Sequence, residues 1–348
     1  MTDLKYLTAY SIPVTAVMGL SLGNYFSFIT PVYVFVIIPI LEIVITQDQS
    51  NLSEEGRNKK QHNPFFELLL YINIPIVISI LIYTLIHISS QGLLRIESIG
   101  MFLSTGIVLG ANGINVAHEL GHRKNRVHRT LAKLLLLPSL YMHFYMEHNF
   151  GHHLHAATKE DPATAKISQS IYSFWLTSVT RQYQNAWKIQ LARLRKNQSP
   201  FVSIANDMLW YTLIQSSYLC LLYLYLGYVA LLTAILCAIV GFLLLESINY
   251  IEHYGLLRSK LKSGRYERVK EIHSWNSNHL MGRIVLYELT RHSDHHFKSS
   301  KKYQLLDYHN ESPQLPYGYP TSMVISLIPP LWFSIMNKRI PSHMKEQL

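Results

Sequence analysis

The stretch "VALLTAILCAIVGFLLLESINYIEHYG", residues 229–255, runs from 229 to 250 without a lysine or arginine and then closes on an acid and an imidazole, Glu252 and His253. About 20 apolar residues are what a helix needs to cross the roughly 30 Å hydrocarbon core of a bilayer. Five further runs of this kind, near 7–27, 30–47, 66–87, 98–117 and 206–226, also lack lysine and arginine. With 49% of the 348 residues hydrophobic and 15% charged, the balance is that of a membrane protein. The expected fold is all-α and integral to the membrane: six transmembrane helices and a histidine-rich cytoplasmic helical cap, with residues 1–348 as a single membrane-embedded domain. The first run is followed through Asn24 by the second and has no small-residue cleavage pattern, so it reads as a span and not as a leader.

The net charge of +10 would suggest a nucleic acid partner in a soluble chain, but its distribution points elsewhere. With a cytoplasmic start, six spans leave 1–6, 48–65, 118–205 and 251–348 on the cytoplasmic side, holding 30 of the 31 lysines and arginines; only Arg95 falls on the other face. The positive-inside rule then orients the chain, with both termini cytoplasmic and the basic surface turned to anionic headgroups. No nucleic acid partner is expected. The two cysteines, Cys220 and Cys237, lie in apolar runs and read as buried free thiols. The segment 313–336 is apolar but carries five prolines, so it reads as interfacial or packed on the cytoplasmic segments.

Of 18 histidines only His62 and His87 precede residue 118, and most of the others fall in four boxes. "HELGH" holds His118 and His122, "EHNFGHH" His148, His152 and His153, "NYIEHYG" His253, and "RHSDHH" His292, His295 and His296. Within three boxes the spacing is i, i+3 or i+4, which places imidazoles on one helix face and lets each helix offer two or three nitrogens to a metal. Taken alone, "HELGH" is the zinc-protease pattern, with Glu119 as the base that activates water. A single-zinc hydrolase needs three protein ligands and an open position, and nine candidate histidines fit two ions better. Imidazole suits zinc, iron, copper and nickel, so the ligand type does not name the metal. His128, His143, His155, His273, His279 and His309 read as solvated, capping or supporting groups.

The boxes HExxH, EHxxGHH, NYIEHYG and RHSDHH closely resemble those of the membrane-bound alkane hydroxylase (alkane 1-monooxygenase) family, within the fatty acid desaturase-like group of non-haem di-iron proteins. The resemblance runs from about residue 112 to 330 and includes "RYERVKEIHSWNSNHL" at 265–280 and the downstream "IPPLWF". One departure is Thr290, where the family usually carries glutamine. The resemblance implies that His118, His122, His148, His152, His153, His253, His292, His295 and His296 ligate two irons. It also implies O2-dependent hydroxylation of the terminal carbon of an n-alkane drawn from the bilayer, in the cytoplasmic (inner) membrane. Electrons would come from a separate rubredoxin, itself reduced by a flavoprotein reductase, because a four-cysteine iron centre cannot be built from two cysteines. Neutral imidazoles leave the charge of two ferrous ions uncompensated, so Glu119, Glu147, Glu246, Glu252 and Asp294 are candidates to orient ring N–H groups and offset that charge. A fatty acyl desaturase or hydroxylase, a methyl-arene monooxygenase, an intramembrane zinc protease and a non-enzymatic metal carrier are the alternatives.

Overall fold

The computed structural model describes residues 3–345. Among these, every regular element is a helix, and strand pairing is confined to isolated bridges such as Gln47 with His279. Four helical stretches are long and apolar enough to cross a membrane: Asn24–Val44, Phe65–Gln91, Ile96–Gly121 and Asp207–His253.

Two differences from the expected six spans have local causes. The run 7–27 is not one helix: a 3-10 helix, Asp3–Tyr10, leads into an α-helix, Ser11–Leu22, that stops at Gly23 with φ 69°. The two helices adjoin, so the helical stretch covers Asp3–Leu22 instead of 7–27, and the next apolar stretch starts at Asn24 instead of near 30. The runs 206–226 and 229–250 instead lie within one stretch, Asp207–His253, interrupted at Gly227 with φ 82° and ψ −178°. Only glycine adopts that conformation freely.

The described chain forms two compact units. The first comprises Met1–Ile37, Pro64–Glu147 and Tyr183–Leu245. Its apolar helices approach closely at small residues: a Cβ on Gly106 would stand 2.4 Å from the Val240 Cβ, and one on Gly241 would stand 3.1 Å from the Leu109 Cβ. Several polar side chains inside it are bonded to protein partners, as an apolar environment favours. The Asn112 amide donates to Asn73 Oδ1 at 2.8 Å and to the Ala9 carbonyl at 3.2 Å, and Thr84 and Thr105 share a bond of 2.7 Å. Both cysteines are free, but Cys220 is exposed, contrary to expectation, while Cys237 is buried. Cys220 lies beside Leu221, Tyr223, Leu224 and Tyr225, whose side chains are also exposed. Apolar exposure of this kind is what a lipid-facing surface presents.

The second unit comprises Ile38–Asn63, His148–Gln182 and Glu246–Leu348. Much of 254–318 is irregular, and it is held by scattered backbone bonds, such as the Asn276 amide to the Pro313 carbonyl at 2.9 Å and the Leu315 amide to the Asn276 carbonyl at 2.8 Å, together with side-chain bonds. Arg283 pairs with Glu288 at 2.7 Å, and Arg291 donates to the carbonyls of Leu306 and Ser50 at 2.7 and 2.9 Å. Asn276 is held from both sides, donating to Ser293 Oγ at 2.6 Å and accepting from the Ser293 amide at 2.9 Å. The proline-rich segment 313–336 contains two short helices, Tyr319–Ser326 and Pro329–Met336. Tyr319, Trp332 and Met336 are buried, and the Trp332 ring lies against Tyr250 and Tyr254, so this segment is packed into the unit.

Candidate metal centre

The histidine boxes lie at helix ends, and two of them adjoin π-helical turns, Leu109–Ile114 before "HELGH" and His148–His152 within "EHNFGHH". A π-turn closes on i→i+5 in place of i→i+4, so residues five apart come to one face. His148 and His153 therefore point together, with their Nε2 atoms 3.0 Å apart. His153 Nε2 is also 3.2 Å from His295 Nε2.

His152, next in sequence to His153, turns to a different group. Its Nε2 lies 3.1 Å from His296 Nε2, which is 2.9 Å from His292 Nε2, which in turn is 3.1 Å from His253 Nε2. These four imidazoles are buried and could hold a metal ion. His292 and His296 share one group at the i, i+4 spacing, whereas the His148 and His152 rings stack with centroids 5.2 Å apart but belong to different groups.

Two neutral imidazoles can satisfy each other with one N–H···N bond, but four converging Nε2 atoms cannot all be satisfied that way. Burial, followed by the neighbouring His292, His153, His152 and His253, lowers the His296 pKa well below its ordinary value, which keeps the ring neutral with a lone pair to give. Asp161 settles the tautomer of His152: its Oδ2 lies 3.0 Å from Nδ1, leaving Nε2 free to face the group. Asp161 is itself fixed by the Thr164 hydroxyl at 2.6 Å and the Ala163 amide at 3.1 Å. Burial alone would raise the Asp161 pKa, but the charge interaction and hydrogen bond with His152, helped by His253 and Thr164, outweigh it and hold it below the usual value. The donor set, its neutrality and its aspartate-set tautomer fit a bound cation.

The five acids singled out in the sequence have separate surroundings. Glu252 Oε2 is 3.2 Å from His292 Nε2, and its Oε1 accepts from the Tyr319 hydroxyl at 2.8 Å. Asp294 accepts from Lys301 Nζ at 2.5 Å, the Asp307 amide at 2.7 Å and His309 Nε2 at 2.9 Å, so it ties down the 301–309 loop. Glu246 takes Ser178 Oγ at 2.6 Å and Gln182 Nε2 at 2.8 Å. In the first unit, Glu147 accepts from Asn185 at 3.0 Å, and Glu119 pairs with Arg123 at 2.5 Å. His118 and His122 belong to that unit too, with ring centroids 4.9 Å apart and nearly perpendicular.

Asp161 was not legible in the sequence. It lies nine residues past His152 with no helical repeat between them, and its only signal is an acid beside a histidine box. Among the supporting histidines, His309 bonds to Asp294 as described, and His273 accepts the Lys270 amide at 2.9 Å. His143 is instead buried between the rings of Tyr141 and Tyr183, and burial lowers its pKa to about 3.

Apolar helices long enough to span a membrane, together with a buried imidazole quartet that could hold a metal, point to a helical membrane protein of the metal-binding class. Residues 98–325 match the family described as Fatty acid desaturase. The chain is 36% identical over 318 residues to the Alkane 1-monooxygenase of Acinetobacter baylyi, covering 91% of this chain and 78% of that one. It is 34% identical over 340 residues to Alkane 1-monooxygenase 2 of Alcanivorax borkumensis, covering 97% and 89%. The xylene/toluene monooxygenase hydroxylase component of Pseudomonas putida is 29% identical over 353 residues, covering 97% and 89%. The chain belongs to the alkane 1-monooxygenase family, within the fatty acid desaturase group.

Proposed function

We propose that this protein is a non-haem di-iron alkane 1-monooxygenase, a single catalytic domain in the inner membrane that converts n-alkanes to primary alcohols. The carrying observation is the division of the boxed histidines into separate groups of converging Nε2 atoms, in a chain more than one-third identical to an alkane 1-monooxygenase. Imidazole nitrogens alone do not choose between zinc and iron; iron is the metal that membership of the fatty acid desaturase group supports. His152, His253, His292 and His296 would hold one iron, and His148, His153 and His295 would contribute to holding the other.

When bound, the irons supply the redox chemistry: O2, two electrons and two protons yield one oxygen atom in the C–H bond and one molecule of water. The protein's part is to hold neutral imidazoles in one tautomer, as Asp161 does for His152, and to offer the alkane an apolar route from the bilayer. Electrons come from rubredoxin and its flavoprotein reductase, small acidic donors suiting a basic cytoplasmic face.

The test is incubation of purified protein with rubredoxin, its reductase, NAD(P)H and a mixture of n-alkanes, fatty acyl chains and methylarenes, with products identified by mass. Terminal alcohols from alkanes are expected, and His253→Ala should abolish them. Methyl hydroxylation of the arenes alone would favour the second reading, which the similarity to the xylene/toluene enzyme component supports. A His253→Ala variant with full turnover would refute the nine-histidine centre.

A further inference from the structure

We propose that the cavity beside the start of the helix Ile171–Lys196 binds the phosphate of an anionic phospholipid, whose acyl chains lie along an adjoining apolar surface. The cavity measures about 390 Å³, within the roughly 300–1,000 Å³ usual for small-molecule sites. Three cations line it: Lys159, Lys166 and Arg181. Lys166 and Arg181 are exposed, and among the described residues no acid pairs with either. The only carboxylate in the wall is Asp161, and its oxygens are engaged, Oδ2 with His152 and Thr164 and Oδ1 with the Ala163 amide. The cavity therefore keeps an excess of positive charge. Gln169 fixes its wall in advance: Oε1 accepts the Lys166 amide at 3.0 Å and Nε2 donates to Thr177 Oγ1 at 3.1 Å, which ties the chain carrying Lys166 to the helix carrying Arg181. A guanidinium and an ammonium held on opposite sides of a concave space suit a phosphate.

What the ligand carries besides phosphate follows from the same helix. Ser173, Thr177 and Arg181 lie at i, i+4 and i+8 and line the cavity, while Tyr172 and Leu176, one position earlier, turn about 100° away. Those two side chains are 47% and 74% exposed. The Tyr172 hydroxyl donates to the Leu327 carbonyl at 2.7 Å, which joins this face to the exposed side chains of Val324, Leu327, Ile328 and Leu331. A cationic cavity bordered by a continuous apolar surface matches an amphiphile with an anionic head, whereas a soluble phosphate would leave the apolar part uncovered. All of these residues belong to the second unit. The site contains no boxed histidine and does not depend on the di-iron reading.

The experiment uses full-length protein in a neutral detergent, titrated separately with phosphatidylglycerol, phosphatidylcholine and glycerol 3-phosphate, with bound molecules counted per chain by native mass spectrometry. Wild type should take up one phosphatidylglycerol per chain more tightly than either of the others. Lys166→Gln and Arg181→Gln should each weaken that binding about 5-fold, and together about 30-fold. Lys262→Gln combined with Arg265→Gln removes two exposed charges outside the cavity wall and should leave it unchanged. An equal loss in that control pair would mean general charge attraction and overturn the site. Glycerol 3-phosphate bound as tightly as the lipid would overturn the lipid as occupant, and phosphatidylcholine bound as tightly would remove the role of the cations. The absence of saturable phosphatidylglycerol binding overturns the proposal outright. If the double variant at Lys166 and Arg181 does not fold, the single variants decide, and undiminished binding in both overturns it equally.

Discussion

His152 and His153 are adjacent in sequence yet face different histidine groups, and the division depends on small things around each ring. Asp161 holds His152 by Nδ1, whereas His153 finds its neighbours across a π-turn. Asp161→Asn keeps an oxygen that can accept from Nδ1–H but removes the negative charge. Metal retention at the quartet should therefore weaken about 10- to 100-fold. Competition with a chelator of known affinity measures this, and wild-type retention would reduce Asp161 to a loop anchor. At Thr290 the side chain donates to the Ser277 carbonyl at 2.8 Å, while the Ser277 amide donates to the Thr290 carbonyl at 3.0 Å. The threonine that replaces the family's usual glutamine is thus spent on fastening the strand of chain that leads into "RHSDHH".

Among the elements, the helices are shaped where they depart from regularity. Three π-turns occur among the described residues, Tyr33–Ile37, Leu109–Ile114 and His148–His152, and the last two adjoin histidine boxes. Such turns change which residues share a face without ending the helix. Gly227 is a different interruption: it divides the longest apolar stretch in a backbone conformation that other residues avoid, and a Cβ there would meet nothing within 4 Å. Replacing it with alanine isolates the backbone cost from any clash. Gly227→Ala should destabilise the protein by about 1–3 kcal/mol, seen as a lower thermal midpoint in detergent. An unchanged midpoint would mean that the turn can relax into an ordinary helix.

Over the whole molecule, charge separates along the chain more cleanly than any structural boundary. Thirty of the 31 lysines and arginines lie in 1–6, 48–65, 118–205 and 251–348, and the exception, Arg95, sits in the short turn between Phe65–Gln91 and Ile96–Gly121. The terminal residues fall outside the described 3–345. With a cytoplasmic basic face, a reporter active only in the periplasm should be inactive when fused after residue 260 and active when fused near residue 92. Activity at 260 would reverse the orientation.

The sequence by itself determined that this is a helical membrane protein and which side chains could carry metal chemistry. Apolar runs of spanning length and four histidine boxes are local patterns, and local patterns survive without knowledge of packing. It did not determine where the first apolar run breaks, since Gly23 ends a helix that composition alone would continue. Nor did it determine the partition of the histidines. His152 joins His296 across 144 residues of chain, and a single π-turn sends its neighbour elsewhere. The separate roles of the acids were likewise decided by tertiary structure. Asp294 went to Lys301 and Glu246 to Ser178, while Asp161, carrying no motif, went to His152. A carboxylate's task depends on which donor the folded chain brings within about 3 Å, a distance set by packing and not by position in the sequence.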